Sequence, residues 1–154
     1  SSSNDSSEEA SSGQLQTLKG KVVQVIDGDS IEVKVGSKEE TVHLEGIDAP
    51  EFKQEGGEEA TSYLKKLVKD KEVEVRWEKR DDFDRILGMV YVDDNFINLE
   101  MVAKGWAWHF ARYNKSDQLA QAQKDAKAAK LGLWKENDPT APWDFRKNNP
   151  RTAK

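Results

Sequence analysis

Three short apolar segments separated by turn signals constrain the fold of this chain more than any other feature. The first leads into Asp27-Gly28-Asp29, the second alternates with polar residues up to Gly36-Ser37, and the third ends near Gly46. Alternation with a period of two is typical of half-buried strands, and Asp-Gly pairs favour tight turns. Three consecutive strands joined by short turns predict an antiparallel meander.

The rest of the chain predicts further strands and helices. They are a helix over 58–69, strands over 73–77 and 86–92, a short helix capped by Asn98 and closed by Gly105, and a last helix capped by Ser116 that runs to 130. The aromatic segment 142–145 is expected to be extended. Five strands with a helix after the third predict an α+β, mainly β fold, a closed five-stranded barrel of the OB type with about three helices.

The length and composition indicate one domain with polar ends. The chain has 154 residues, and we expect a flexible Ser-rich acidic tail over 1–17, the folded domain over 18–147 and a C-terminal tail over 148–154. Such an N-terminal tail is compatible with export or a lipid anchor, and equally with a plain disordered terminus. No apolar run is long enough to span a membrane.

Charge and cysteine usage exclude some kinds of site. The absence of cysteine rules out disulfides, thiol nucleophiles and thiolate zinc sites. The formal net charge of -5 argues against nonspecific coating of nucleic acid, which needs a basic face. It does not argue against a nuclease, because carboxylates that hold a metal ion are themselves acidic.

Four carboxylates fall in two of the turn regions: Asp27, Asp29, Asp48 and Glu51. In a meander, the start of the second strand and the end of the third lie at the same end of the sheet, so these turns can converge. Converging carboxylates repel each other unless a positive charge lies between them, and Ca²⁺ accepts irregular sets of oxygen ligands. The alternative is ordinary turn chemistry, which the spacing alone favours.

Several motifs in order resemble the staphylococcal nuclease (thermonuclease) family over residues 18–147. They are Asp27-Gly28-Asp29-Ser30, the segment from His43 to Glu51 with Gly46-Ile47-Asp48-Ala49-Pro50, Asp82-Phe83-Asp84-Arg85, the Asn98 to Trp108 segment, Gly132-Leu133-Trp134, and Pro142-Trp143-Asp144-Phe145-Arg146. Several independent motifs in the same order are far more specific than any one of them.

The resemblance implies a calcium site and a hydrolytic mechanism. Asp29, Asp48 and the carbonyl group of Ala49 would bind Ca²⁺, and Glu51 would orient or deprotonate the attacking water. Asp27 would lie nearby, behind the metal ligands. A cation stabilises the charge that builds up on phosphoryl oxygens, and a carboxylate within reach of the water positions it.

The resemblance also implies residues that contact the nucleic acid. Arg85 would face the scissile phosphate, although it follows three nearby acids that it could simply balance. The family usually has an arginine where this chain has His43, which predicts weaker transition-state stabilisation and a dependence on lower pH. The alternative for His43 is a strand residue with no catalytic part. Phe83 and Tyr113 are candidates to contact a base or its phosphate.

These inferences predict a Ca²⁺-dependent phosphodiesterase or endonuclease that hydrolyses DNA and RNA with low sequence specificity. We expect a monomer, secreted or tethered by its N-terminal tail. The alternative is a non-catalytic module that binds nucleic acid or a protein partner. It stays open because His43 stands where the family usually has an arginine. A third possibility, an oligosaccharide-binding barrel, is opposed by the carboxylates together with Arg85.

Overall fold

Five strands close on themselves into a small barrel in the computed structural model, which describes residues 14–150. The strands of the protein are β1 (Gln16–Asp27), β2 (Ser30–Val35), β3 (Lys38–Leu44), β4 (Ile47–Asp48), β5 (Glu72–Arg80), β6 (Ile86–Val92), β7 (Asn95–Phe96) and β8 (Trp108–His109). The barrel strands follow the order β3–β2–β1–β5–β6, and a parallel pairing of β3 with β6 closes the barrel. The expected mainly β, OB-type barrel is confirmed.

Alternating residues of the barrel strands form the core. In β6 every second residue is buried, starting with Ile86 and ending with Val92. Gly88 belongs to this inward face, and a Cβ atom there would lie 2.5 Å from Val75 Cγ1. The period of two therefore places one side of each strand inside the barrel and the other outside.

Helices cover the barrel. They are α1 (Gly57–Val68), α2 (Ile97–Ala103), α3 (Asp117–Ala129) and α4 (Pro142–Asn148), with a 3-10 turn over Gly132–Lys135. The prediction that Ser116 caps α3 is confirmed, because its Oγ accepts a hydrogen bond from the Leu119 N–H at 3.2 Å. No helix in residues 14–150 is long and apolar enough to cross a membrane.

Asn98 does not cap a helix, contrary to the sequence-based expectation. It lies inside α2, fully buried, and its side chain accepts a hydrogen bond from the Val90 N–H at 3.0 Å. The same amide donates to the carbonyl groups of Glu45 at 2.9 Å and Gly88 at 3.1 Å. Asn98 therefore joins α2 to β6 and to the segment that follows β3.

The segment 142–145 is helical rather than extended, so the prediction for this segment was wrong. Pro142 occupies the first turn of α4, a position that proline favours because its missing N–H is not needed there. The ring of Trp143 stacks on Phe110, with centroids 5.5 Å apart, and meets Trp108 edge-on at 5.3 Å. These tertiary contacts hold α4 against the strand β8 region.

Asn98→Ala is expected to lower the free energy of unfolding by about 3 kcal/mol, because it leaves several buried backbone groups without their side-chain partner. Urea unfolding followed by tryptophan fluorescence would measure the loss. The matched control is Asn95→Ala at an exposed position, which should change stability by no more than about 0.5 kcal/mol. Equal effects of the two substitutions would contradict the bridging role of Asn98.

Candidate active site

Two buried carboxylates meet at one end of the barrel. Asp29 lies in the turn between β1 and β2, Asp48 ends β4, and their exposed fractions are 1% and 2%. Asp29 Oδ2 accepts a hydrogen bond from the N–H of Ala49 at 2.8 Å. The two turn regions thus converge, as the meander predicts.

Gly28 makes this approach possible. A Cβ atom at this position would lie 2.7 Å from Ala49 Cβ and 2.9 Å from Ala60 Cβ. Both distances are shorter than carbon atoms tolerate, so a larger residue would push the turn away from Ala49. The small residues at 28, 49 and 60 therefore let the Asp29 turn pack directly on the Asp48 loop and on α1.

Asp27 lies behind Asp29 in the same turn. Its Oδ1 accepts a hydrogen bond from the Asp29 N–H at 3.1 Å. Burial, and then the negative charge of Asp29, raises the pKa of Asp27 to about 8. Burial and the neighbouring charge therefore favour the neutral form of the Asp27 carboxyl group.

His43 contacts the carboxylate site from the neighbouring strand. It pairs with Ser30 across β2 and β3, and its Nδ1 lies 3.3 Å from Ser30 Oγ and 3.5 Å from Asp29 Oδ1. The Ser30 hydroxyl in turn donates to Asp29 Oδ1 at 3.1 Å. A single imidazole thus lies beside Asp29 at the position where the family resemblance predicts an arginine.

Arg85 lies just before β6 and is held by Asp81. Its Nε donates to Asp81 Oδ2 at 2.7 Å, and its backbone N–H donates to Asp81 Oδ1 at 2.9 Å. Burial raises the pKa of Asp81, but the N–H groups of Arg85 and Phe83 and the Arg85 guanidinium together bring that pKa below its ordinary value. The carboxylate stays ionised and fixes the orientation of the guanidinium.

The strand register places Arg85 and His43 on the same outer face. Buried Val42 pairs with buried Ile86 where β3 and β6 close the barrel. Because alternate residues point to opposite faces, His43 and Arg85, which are the neighbours of this pair, face away from the core. Both side chains therefore belong to the outer wall of the barrel, His43 on β3 and Arg85 directly before β6.

Arg146 is a residue of the site that sequence reasoning missed. From α4 it donates Nη2 to Asp48 Oδ2 at 2.7 Å and Nη1 to Asp48 Oδ1 at 3.1 Å, which is a two-pronged contact. Nη1 also donates to Glu51 Oε2 at 2.7 Å. Burial lowers the pKa of Arg146, but its hydrogen bonds and charge attraction to Asp48 and Glu51 outweigh burial and raise that pKa. Arg146 ends the last of the family motifs, and that position is the only signal that could have drawn attention to it.

Gln54 ties the Glu51 loop to the segment before α4. It is buried, its Oε1 accepts from the Glu51 N–H at 3.1 Å, and its Nε2 donates to the carbonyl oxygen of Thr140 at 2.7 Å. The loop that carries Glu51 is thus joined to the C-terminal segment through Gln54 as well as through Arg146.

The two candidate aromatic contacts are exposed. Tyr113 is 72% exposed and Phe83 is 69% exposed. Phe110 packs edge-on against Tyr113 at 4.9 Å and stacks on Trp143, so Tyr113 ends a row of rings beside α4. Phe83 lies under the Arg85 guanidinium at 5.5 Å. Phe83 thus lies next to Arg85, and Tyr113 lies next to Phe110, which follows β8.

The residues fit an oxygen-coordinated cation that takes few protein side chains. Within residues 14–150, no group of three or more His, Cys, Asp or Glu side chains is arranged to hold a metal ion. The candidate set instead consists of the carboxylates of Asp29 and Asp48 and the carbonyl group of Ala49, with water for the remaining positions. Ca²⁺ accepts such mixed oxygen sets, and buried carboxylates need a positive partner.

Comparison with known proteins relates the chain to one family. The family model for staphylococcal nuclease homologues matches residues 41–136. A protein of Escherichia coli described as an uncharacterized endonuclease is 43% identical over 130 residues, which cover 84% of this chain and 85% of that protein. A protein of Haemophilus influenzae with the same description is 38% identical over 128 residues, covering 82% and 72%.

A plant protein also matches. The staphylococcal-like nuclease of Arabidopsis thaliana is 36% identical over 115 residues, which cover 75% of this chain but 36% of the plant protein. The matched segment of the family model begins within β3 and includes Asp48, Glu51 and Arg85, whereas Asp29 lies before it.

Proposed function

The chain belongs to the family of staphylococcal nuclease homologues, and on that premise we propose that it is a Ca²⁺-dependent nuclease that hydrolyses DNA and RNA with little sequence specificity. The observation that carries the proposal is that the buried Asp29 carboxylate accepts a hydrogen bond at 2.8 Å from the N–H of Ala49, the residue after buried Asp48, so the turns that carry the two carboxylates converge. Relatives described as endonucleases and nucleases support the phosphodiester chemistry.

Asp29, Asp48 and the Ala49 carbonyl group would hold the cation. When bound, Ca²⁺ supplies positive charge that stabilises the oxygens of a phosphoryl group as negative charge develops on them. The side chains of the site orient the ligands, the attacking water and the phosphate. Asp29 is held in place by the Ser30 hydroxyl and by the Ala49 N–H, so one ligand is oriented before any cation binds.

Glu51 acts on the attacking water in this proposal. Its side chain is 17% exposed. Glu51 follows Asp48 by three positions and comes directly after a proline that stiffens the loop. The Oε1 atom of Gln54 accepts a hydrogen bond from the Glu51 N–H, and this bond limits the motion of the loop. A carboxylate held near a water molecule can accept a proton from the water, or orient the water so that a lone pair of the water oxygen points at phosphorus.

Arg85 and His43 act on the phosphate in this proposal. Asp81 fixes the planar guanidinium of Arg85 through Nε, and this sets the direction of its two terminal amino groups. A fork of this kind donates two hydrogen bonds to phosphate oxygens, whereas the imidazole of His43 donates one. The substitution of histidine for arginine therefore predicts a slower enzyme with the same chemistry.

Exposed aromatic rings support binding without sequence preference. Tyr113 and Phe83 offer ring faces on which any base can stack. Nothing in the site resembles the paired side-chain contacts that read base edges in a groove. The substrate class of the proposal is therefore nucleic acid in general rather than one sequence.

A non-catalytic nucleic-acid-binding module is the second candidate. Two features favour it: His43 lies where the resemblance to the family implies a second arginine, and Arg146 contacts both Asp48 and Glu51. A module of this kind would retain a nucleic acid strand without cutting it.

Metal removal is expected to abolish cleavage. The protein is incubated with end-labelled single-stranded DNA or RNA and Ca²⁺, and the incubation is repeated with an excess of EGTA. Shorter products should appear only with Ca²⁺, and Asp48→Asn should resemble the chelated sample. Cleavage that persists in EGTA would contradict the calcium dependence, and retention of an uncut strand would favour the binding module.

His43→Arg is expected to raise kcat/KM for DNA at least about tenfold, equivalent to about 1.4 kcal/mol, because a second fork contacts the phosphate. His43→Ala is expected to lower it. Initial cleavage rates across substrate concentrations measure both values, and thermal melting of each variant controls for folding. If the alanine variant cleaves as fast as the wild type, His43 has no catalytic part.

Arg85→Ala is expected to lower kcat by roughly 100-fold or more, the usual cost of removing a donor that faces developing charge. The matched control is Arg76→Ala, because Arg76 pairs with Glu74 and lies over Tyr91 on the barrel surface. The control should retain nearly full activity. Equal rates for the two variants would remove Arg85 from the mechanism.

A further inference from the structure

Arg146 occupies Asp48, a carboxylate that the proposed cation would use, together with the neighbouring Glu51. Both oxygens of Asp48 and one oxygen of Glu51 accept hydrogen bonds from its guanidinium at 2.7 to 3.1 Å. The Asp48 side chain is 3% exposed and the Glu51 side chain 17%, so these are largely desolvated charges. Carboxylates this deeply buried are stable only beside a positive charge, and Arg146 supplies one.

We infer that Arg146 is an internal counter-ion that competes with a divalent cation for Asp48, so that cation binding and the docking of α4 oppose each other. This inference rests on the proposed function, because it requires a cation at Asp48. A divalent cation at that position would share the lone pairs of Asp48 with the guanidinium. The cation would also repel the guanidinium, since both are positively charged and little solvent screens the two charges from each other.

The consequence reaches α4 because Arg146 is one of the contacts that hold this helix. Others are the packing of Trp143 on Phe110 and Trp108 and the Gln54 bond to the Thr140 carbonyl. Loss of the Arg146 contact leaves these in place. We therefore expect α4 to loosen at its C-terminal end on cation binding rather than to detach.

Lys147 is the natural control for a purely electrostatic effect. It follows Arg146 directly and carries the same charge, but its side chain is 76% exposed and pairs with Asp144 on the same helix. A general change of charge near the C-terminus would affect both positions alike. Direct competition for Asp48 would affect Arg146 alone.

The first experiment measures Ca²⁺ affinity by isothermal titration calorimetry of the full chain at constant ionic strength, without substrate. Arg146→Gln is expected to bind Ca²⁺ at least tenfold more tightly than the wild type. Arg146→Lys, which keeps the charge and loses the fork, should lie between them, and Lys147→Gln should stay within twofold of the wild type. Equal or weaker binding by Arg146→Gln would overturn the competition.

The second experiment needs no variant and stays informative if Arg146→Gln fails to fold. Amide hydrogen exchange of the wild type is followed by mass spectrometry with and without Ca²⁺. Competition predicts that Ca²⁺ speeds exchange in the peptide that covers 142–148. Slower or unchanged exchange there would overturn the competition, because the cation and Arg146 would then bind the carboxylates together.

The outcomes separate this inference from the proposed function. If the wild type binds Ca²⁺ and Arg146→Gln binds no more tightly, the calcium site stands and the competition fails. If only Arg146→Gln binds Ca²⁺, the competition stands, and the calcium dependence proposed for the wild type fails because the guanidinium excludes the cation. If neither protein binds Ca²⁺, the calcium proposal fails and the competition is overturned with it.

Discussion

The hydrogen bond from the Ala49 N–H to the buried Asp29 carboxylate is the contact on which the rest of the site depends. It joins the turn between β1 and β2 to the loop after β4, and it lies where Gly28 leaves space for the two backbones to approach. Asp48 precedes Ala49 and Glu51 follows it closely, so this one contact aligns both with Asp29. A carboxylate that accepts a backbone N–H is strongly held, and it is also costly to bury.

The free-energy cost of burying carboxylates explains why compensating groups surround the site. Four acids of the turn regions lie within a small, poorly solvated volume, and they are compensated in three ways. Burial and the charge of Asp29 raise the pKa of Asp27 to about 8, which favours its neutral form. His43 lies beside Asp29, and Arg146 binds Asp48 together with Glu51. Groups of the chain itself thus compensate the buried carboxylates of the site.

The C-terminal segment is part of the site rather than an appendage. Trp143 anchors α4 on the rings of Phe110 and Trp108, and Gln54 ties the Glu51 loop to Thr140. These apolar and polar contacts together deliver the Arg146 guanidinium to carboxylates almost a hundred positions earlier in the chain. Asp81 holds Arg85 in a comparable way, within a single local turn.

The sequence by itself determined the barrel and the family. Period-two alternation and Asp-Gly turns are local signals, and they predicted the meander, the later strands and the convergence of the turns that carry Asp29 and Asp48. The ordered motifs indicated which side chains belong to the site, and Ser116 was recognisable as a cap because capping involves residues three positions apart. Only the tertiary structure decided the helical form of 142–148, the bridging role of Asn98 and the contact of Arg146 with Asp48. Each of these depends on partners far away in the chain, and no local pattern encodes which distant backbone group or carboxylate a side chain will meet.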